Sequence, residues 1–94
     1  MNEGALLIKS DGSVKPIVPA NGRDFTLEEL QGYVEGLIQI IDLTSEAIMV
    51  VNEEGKGVLP PNGMATVIAK ASNAIFPHDY IAGNAVMCHT DLVK

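Results

Sequence analysis

The sequence predicts an α+β fold: one small mixed, mainly antiparallel sheet in the order β-β-α-β-β-α-β, packed against two short helices. Three observations predict it. They are short β-branched runs separated by turn residues, two segments with apolar residues at helical spacing, and a length of 94 residues. That length allows a single domain over residues 1–94 and is too short for two ordinary ones. Hydrophobic residues make up 47% of the chain, which is enough for a core.

The first predicted element is a hairpin. Residues 4–9 form its first strand and residues 14–18 its second. Between them, Asp11-Gly12 supplies the positive φ that a tight turn needs. Because Pro16 has no N–H for the ladder, we expect the second strand to be short or to lie at a sheet edge.

The strongest helix signal follows. Thr26 is placed as an N-cap, and Glu29, three residues later, completes a capping box. We expect a helix over residues 27–35, ended by Gly36 in a left-handed conformation.

Two apolar runs come next, and both have the length of strands. Residues 37–43 are rich in isoleucine, which favours a strand. Residues 47–51 are so uniformly apolar that we expect both faces of this strand to be covered. Residues 56–59 are compatible with an additional short strand.

Asn62 is the expected N-cap of a second helix over residues 63–72. Four apolar residues at helical spacing predict its buried face: Met64, Val67, Ile68 and Ala71. Residues 73–80 are expected to be irregular, and residues 81–88 to form the last strand, with a bulge or bend at Gly83-Asn84.

Composition excludes several classes of protein. Cys88 is the single cysteine and cannot form an internal disulfide, and the first residues lack a basic, apolar leader, so we expect a cytoplasmic protein. No apolar run reaches about 18 residues, so we expect no membrane span. The formal charge of −6 disfavours duplex nucleic acid as a partner, since such binding neutralises phosphates with Lys and Arg.

Residues that could carry chemistry are few. His78 and His89 have none of the short spacings of zinc sites, and no glycine-rich phosphate loop occurs. Cys88 lies in an apolar run, where a cysteine is usually an inert small hydrophobe. We therefore expect no catalytic residue, no metal, no cofactor and no enzymatic activity.

Five residues are candidates for ligand binding. Asn62 and Gly63 can present the N-terminal amides of the second helix to an anion, although an ordinary helix cap explains them more simply. Arg23 can grip a phosphate or a partner's carboxylate, or pair with neighbouring acids at the surface. Lys56 and Asn84 lie in polar, glycine-containing turns between apolar strands.

Six segments, in order, resemble one family: LIKSDG at residues 7–12, FTLEELQ at 25–31, VEG at 34–36, VVNEEGK at 50–56, LPPN at 59–62 and IAGNAV at 81–86. Together they are similar to the domain-of-unknown-function 3846 family of bacteria, phages and mobile elements. Residues 72–78 depart from the family's pattern. The resemblance implies a small cytoplasmic accessory protein and carries no catalytic residues.

In that context we expect a counter-defence protein that sequesters a nucleotide-derived signalling molecule. The alternative is an inhibitor or adaptor that blocks a host protein through the apolar residues 37–43 and 47–51. DNA mimicry ranks third, because the acidic residues are spread through caps and turns and form no rows. We also expect a homo-oligomer, since so small a chain builds a pocket most easily across an interface.

Overall fold

The computed structural model describes residues 4–93, whose centre is a five-stranded sheet with the strand order β2-β1-β5-β4-β3. The strands are β1 (Ala5–Ile8), β2 (Val14–Ile17), β3 (Ile38–Asp42), β4 (Ala47–Asn52) and β5 (Ala85–His89). Neighbouring strands are antiparallel throughout. With helices α1 (Leu27–Val34) and α2 (Gly63–Ala71), this confirms the α+β class and the order β-β-α-β-β-α-β.

The β1–β2 hairpin places Pro16 where a proline is tolerated. Gly12 has the positive φ of +94° that its turn requires, and the Lys9 N–H donates to the Ser13 carbonyl at 2.9 Å. Hydrogen-bonded and non-hydrogen-bonded pairs alternate along an antiparallel ladder, so Pro16, opposite Leu6, is in a non-hydrogen-bonded pair. Its ring nitrogen therefore points away from β1, along the free edge of the sheet.

Helix α1 begins at the expected capping box. The Glu29 N–H donates to Thr26 Oγ1 at 3.1 Å, and the Thr26 N–H donates to the Glu29 carboxylate at 3.0 Å. The same carboxylate accepts the Ala20 N–H at 3.0 Å. The backbone bonds from Thr26 and Ala20 lower the pKa of Glu29 below its ordinary value.

The end of α1 differs from the expectation. Glu35, not Gly36, has the left-handed conformation, with φ 66° and ψ 37°. Gly36 is needed for space: a Cβ there would lie 2.7 Å from Asn52 Nδ2. That amide donates to the Val34 carbonyl at 3.0 Å and ties the helix end to β4.

The two helices cover opposite faces of the sheet. Leu30 and Val34 of α1 pack on one face, which we call the α1 face, with Leu7, Ile48, Val50 and Val86. Ala65 and Ala69 of α2 pack on the other, the α2 face, with Ile8, Met49, Val51 and Ala85. Strand β4 is therefore buried from both sides, as its composition predicts.

The predicted buried face of α2 was wrong. Ala65 and Ala69 are fully buried, whereas Met64 is 46% and Val67 66% exposed. Ala71 is also exposed, and Ile68 is half-buried. The buried contacts of α2 are thus made by small side chains, whereas the larger apolar ones lie outside.

The remaining segments differ mainly in their boundaries. Residues 56–59 form turns and not a strand, and the N–H groups of Val58 and Leu59 both donate to the Gly55 carbonyl. Strand β5 begins at Ala85, because the chain bends at Gly83, whose φ is +81°. Residues 73–80 are irregular, as expected.

Candidate functional site

A cleft of about 570 Å³ opens on the α2 face of the sheet, beside its β3 edge. Its floor comes from side chains of β3 and β4 that point to this face: Gln39, Ile41 and Val51. The turn after β4 and the long loop between α2 and β5 form its walls. The cleft therefore lies where the short α2 leaves the end of the sheet uncovered.

The loop wall presents two aromatic rings. Phe76 is 70% exposed, and its ring stacks on that of His78 with centroids 5.8 Å apart. Tyr80, 36% exposed, lines the cleft with it. A turn, closed by the Asp79 N–H donating to the Phe76 carbonyl at 2.9 Å, holds this part of the loop.

Lys56 connects the two walls. Its ammonium donates to the Asp79 carboxylate and lies 5.6 Å from the centroid of the Tyr80 ring. The Tyr80 N–H donates to the same carboxylate at 2.8 Å. The hydrogen bond from Lys56, followed by that from Tyr80, holds the pKa of Asp79 below its ordinary value. The carboxylate is thus ionised at neutral pH and keeps the lysine in place.

The charges of the cleft are mainly negative. Lys56 is the one cation among its lining residues, against the carboxylates of Glu53, Glu54 and Asp79. A floor that is apolar apart from Gln39, the aromatic rings and the acidic rim together suit a planar, weakly charged molecule better than one with several phosphates.

Of the five residues predicted to bind a ligand, Lys56 lines this cleft. Asn62 is fully buried, and its side chain connects separate segments of the fold. Its Nδ2 donates to the carbonyls of Ile8 and Gly83, both at 2.9 Å, and its Oδ1 accepts the Ala65 N–H at 3.0 Å. Gly63 is the exposed first residue of α2.

Arg23 and Asn84 lie elsewhere. Arg23 is exposed in the loop before α1, and its N–H donates to Asn21 Oδ1 at 2.8 Å. Asn84 bridges two segments: it accepts the Ser10 N–H at 3.2 Å and donates to the Tyr33 carbonyl at 3.3 Å. It borders a separate depression of about 250 Å³. The fold therefore does not bring the five residues together.

Three residues of the cleft, Phe76, Asp79 and Tyr80, were missed by sequence reasoning. They lie in an irregular loop, where no periodicity indicates which side chains face one another. The available signal was two aromatic residues in one polar loop of a chain that has 2 Phe and 2 Tyr in total.

The remaining reactive side chains are held within the fold. Cys88 is 6% exposed, and burial raises the pKa of its thiol to about 11. His89 Nδ1 accepts the Asp91 N–H at 3.0 Å, at the start of a single 3₁₀ turn (Thr90–Leu92). Within residues 4–93, no group of three His, Cys, Asp or Glu side chains is placed to hold a metal ion.

Neither helix of the described part is long and apolar enough to cross a membrane. Fold and cleft define a small α+β protein with one antiparallel sheet between two helices. The chain belongs to the family described as Domain of unknown function (DUF3846), whose model matches residues 1–92. The chain matches no curated protein and no solved structure.

Proposed function

We propose that this protein is a non-enzymatic binding protein that sequesters a small nucleotide-derived signalling molecule in the cleft. The observation that carries the proposal is a cavity of about 570 Å³ with two exposed aromatic side chains beside a floor of Gln39, Ile41 and Val51. Pockets for small molecules have volumes of roughly 300–1,000 Å³ and combine apolar walls with a few polar groups. A nucleobase fits such a site, because it is planar and stacks on aromatic rings.

The charges of the cleft determine how such a ligand is oriented. Glu53 and Glu54 repel phosphates, whereas the ammonium of Lys56 has N–H donors beyond the one engaged by Asp79 and can hold a phosphate. We therefore expect the base to enter between Phe76 and the floor, with a phosphate near Lys56. Molecules with one phosphate, or with none, are favoured over those with several.

The environments of two side chains, Cys88 and Asp79, support the proposal that the protein is not an enzyme. The Cys88 thiol is buried with its pKa raised to about 11, so it is not a nucleophile at neutral pH. In the cleft, the Asp79 carboxylate is engaged by Lys56 and by the Tyr80 N–H. Neither group is free to transform a bound molecule.

We place this binding activity in a small accessory protein of a phage or mobile element that counters host defence. The support for this context is the family resemblance, and no residue of the cleft bears on it. In infected cells, we expect the chain to let a phage replicate in a host that carries a nucleotide-signalling defence, and we expect this effect to be lost when the cleft is altered.

The direct test is calorimetry and thermal shift against a panel of nucleosides, mononucleotides, cyclic nucleotides and ADP-ribose derivatives. Phe76→Ala removes the most exposed ring and is expected to weaken binding by roughly tenfold. Lys56→Ala is expected to weaken the phosphorylated members selectively, because the ammonium faces the phosphate.

Two exposed residues outside the cleft provide matched controls. Val67→Ala removes an exposed apolar side chain and Lys70→Ala an exposed cation, and both lie on α2. Neither variant is expected to change the affinity. No heat and no thermal shift with the wild-type chain across the panel would end the proposal, as would binding that Phe76→Ala leaves intact.

A second candidate function is inhibition of a host protein. The observation that favours it is the outer face of α2, where Met64 is 46% and Val67 66% exposed. Met64→Asp and Val67→Asp are expected to abolish co-purification of a host protein if this function holds. Recovery of the chain alone from lysate would exclude it.

A further inference from the structure

The two edges of the sheet are not equivalent. The Glu53 N–H donates to the Leu37 carbonyl, and the Leu43 N–H to the Ala47 carbonyl, at 2.8 and 2.9 Å. Because bonding alternates along an antiparallel ladder, Gln39 and Ile41 are also bonded to β4. The N–H and C=O groups of the intervening residues, Ile38, Ile40 and Asp42, therefore point outward along the β3 edge.

This edge has little of the usual protection, since its one charged residue, Asp42, lies at the end of the strand. β3 has the sequence IQIID, without proline or lysine, and Ile40 at its centre is 48% exposed. The opposite edge, β2, has the sequence VKPI and carries Pro16 with its nitrogen outward. Proline and lysine are residues that block an edge, so β2 is closed to pairing and β3 is open to it.

The β3 edge is also complementary to itself. Two copies related by a two-fold axis at Ile40 pair antiparallel, with Ile40 opposite Ile40 and Ile38 opposite Asp42. The outward N–H and C=O groups of these residues then form hydrogen bonds with one another across the axis. The Asp42 carboxylates are not opposite each other, and Gln39 meets Ile41 on the α2 face. No like charges oppose each other in this register.

We infer that β3 pairs with β3 of a second copy, forming a continuous ten-stranded sheet in a two-fold dimer. The occupant of the edge is a second copy because the self-paired register satisfies the outward N–H and C=O groups of Ile38, Ile40 and Asp42 and sets no like charges opposite each other. Gln39 and Ile41 line the cleft, so the same residues of the partner extend its floor across the axis. The pairing itself does not rest on the proposed function; only its contribution to the cleft does.

Amide hydrogen exchange tests the pairing residue by residue. In a monomer, the amides of Ile38, Ile40 and Asp42 exchange fast, while those of Gln39 and Ile41 are protected by β4. In the dimer, the first three are expected to become protected as the protein concentration rises, together with a mass of twice the monomer by light scattering. Fast exchange of the three amides at every concentration would overturn the inference.

Two variants of Ile40 test separately how its side chain and its backbone N–H contribute to the pairing. Ile40→Lys places like charges opposite each other and is expected to give a monomer. Ile40→Pro removes the outward N–H without removing a bond to β4 and is expected to do the same. Circular dichroism checks that each variant is folded. If Ile40→Pro does not fold, Ile40→Lys alone tests the pairing.

The matched control is Val14→Lys on the other edge. Val14 is 43% exposed, and its N–H also points outward, but it lies on β2. This variant is expected to remain a dimer.

A monomeric wild type, or a dimer lost in Val14→Lys and kept in Ile40→Lys, contradicts the inference. A monomer whose β3 amides become protected only with an added extended peptide would assign the edge to a different occupant. A dimer that binds no member of the nucleotide panel would remove the proposed function and leave the pairing intact.

Discussion

At the scale of single residues, the buried side chain of Asn62 connects three parts of the fold. It caps α2 through the Ala65 N–H and donates to carbonyls at the end of β1 and in the bend before β5. The N-cap was predicted from the sequence, since that bond is local. The two other bonds span 54 and 21 residues, and no local pattern indicates them.

Replacement of Asn62 by Ala is expected to lower the free energy of unfolding by about 3 kcal/mol. It removes the hydrogen bonds to the carbonyls of Ile8 and Gly83 and leaves the Ala65 N–H without its capping acceptor in a buried place. Asn62→Ser keeps the capping acceptor and is expected to cost less. Urea unfolding measures both, with Lys70→Ala, at an exposed position of α2, as the control expected within about 0.5 kcal/mol of wild type. Equal urea midpoints for Asn62→Ala and wild type would refute this role.

At the scale of elements, the two helices differ in how far their sequences determine them. The signals of α1 are local and strong: a capping box at its start and Leu30 and Val34 on its buried face. In α2 the apolar residues surround much of the helix, and Lys70 is its one charged residue. Which face is buried then depends on the space above the sheet, which accepts Ala65 and Ala69 and excludes larger side chains.

The packing of α2 predicts an asymmetry between two alanines on one helix. Ala69→Leu inserts three carbons into a fully buried contact and is expected to cost about 1–3 kcal/mol of unfolding free energy. Ala71→Leu makes the same change at an exposed position and is expected to change it by less than about 0.5 kcal/mol. Thermal and urea unfolding compare the pair. The opposite order would restore the face that includes Met64 and Ala71 as the buried one.

At the scale of the whole molecule, the sequence was sufficient for the strand and helix order and insufficient for the site. The order of strands and helices along the chain follows from short apolar runs, turn residues and helical spacing, which are local features, whereas the order of the strands within the sheet was not predicted. The cleft depends on where the loop between α2 and β5 folds back on the turn after β4, and nothing periodic describes that loop. Lys56 was predicted from its polar turn, whereas its partner Asp79 lies 23 residues further on.

Titratable groups on the molecule limit its stability at both ends of the pH scale. The pKa values of Asp11, Glu29 and Asp79 are lowered by hydrogen bonds, from Ser13, from Thr26 and from Lys56 respectively. The stability they contribute is present above about pH 4.5 and is lost as the pH falls. The pKa of Cys88 is raised from 9.0 to about 11, so its contribution is present below pH 9 and lost above it.

We therefore expect unfolding free energy to be highest between these limits and to decline on both sides. Glu29→Gln is expected to flatten the acid side, since it removes a group whose pKa differs between the folded and unfolded states. Cys88→Ala is expected to flatten the alkaline side, where the thiol accounts for about 2 kcal/mol by pH 11. Urea midpoints measured as a function of pH check both, and an unchanged alkaline slope in Cys88→Ala would contradict the burial of the thiol.

Pro16 has one more effect on the molecule. A sheet whose two edges can both pair with a further strand could add one chain after another and grow into filaments. Such growth is a hazard for a protein of this size in a crowded cell. In the dimer that we infer, the β3 side is filled by the second copy, and Pro16 offers no N–H donor on the β2 side. A single imino acid would thereby keep that assembly closed.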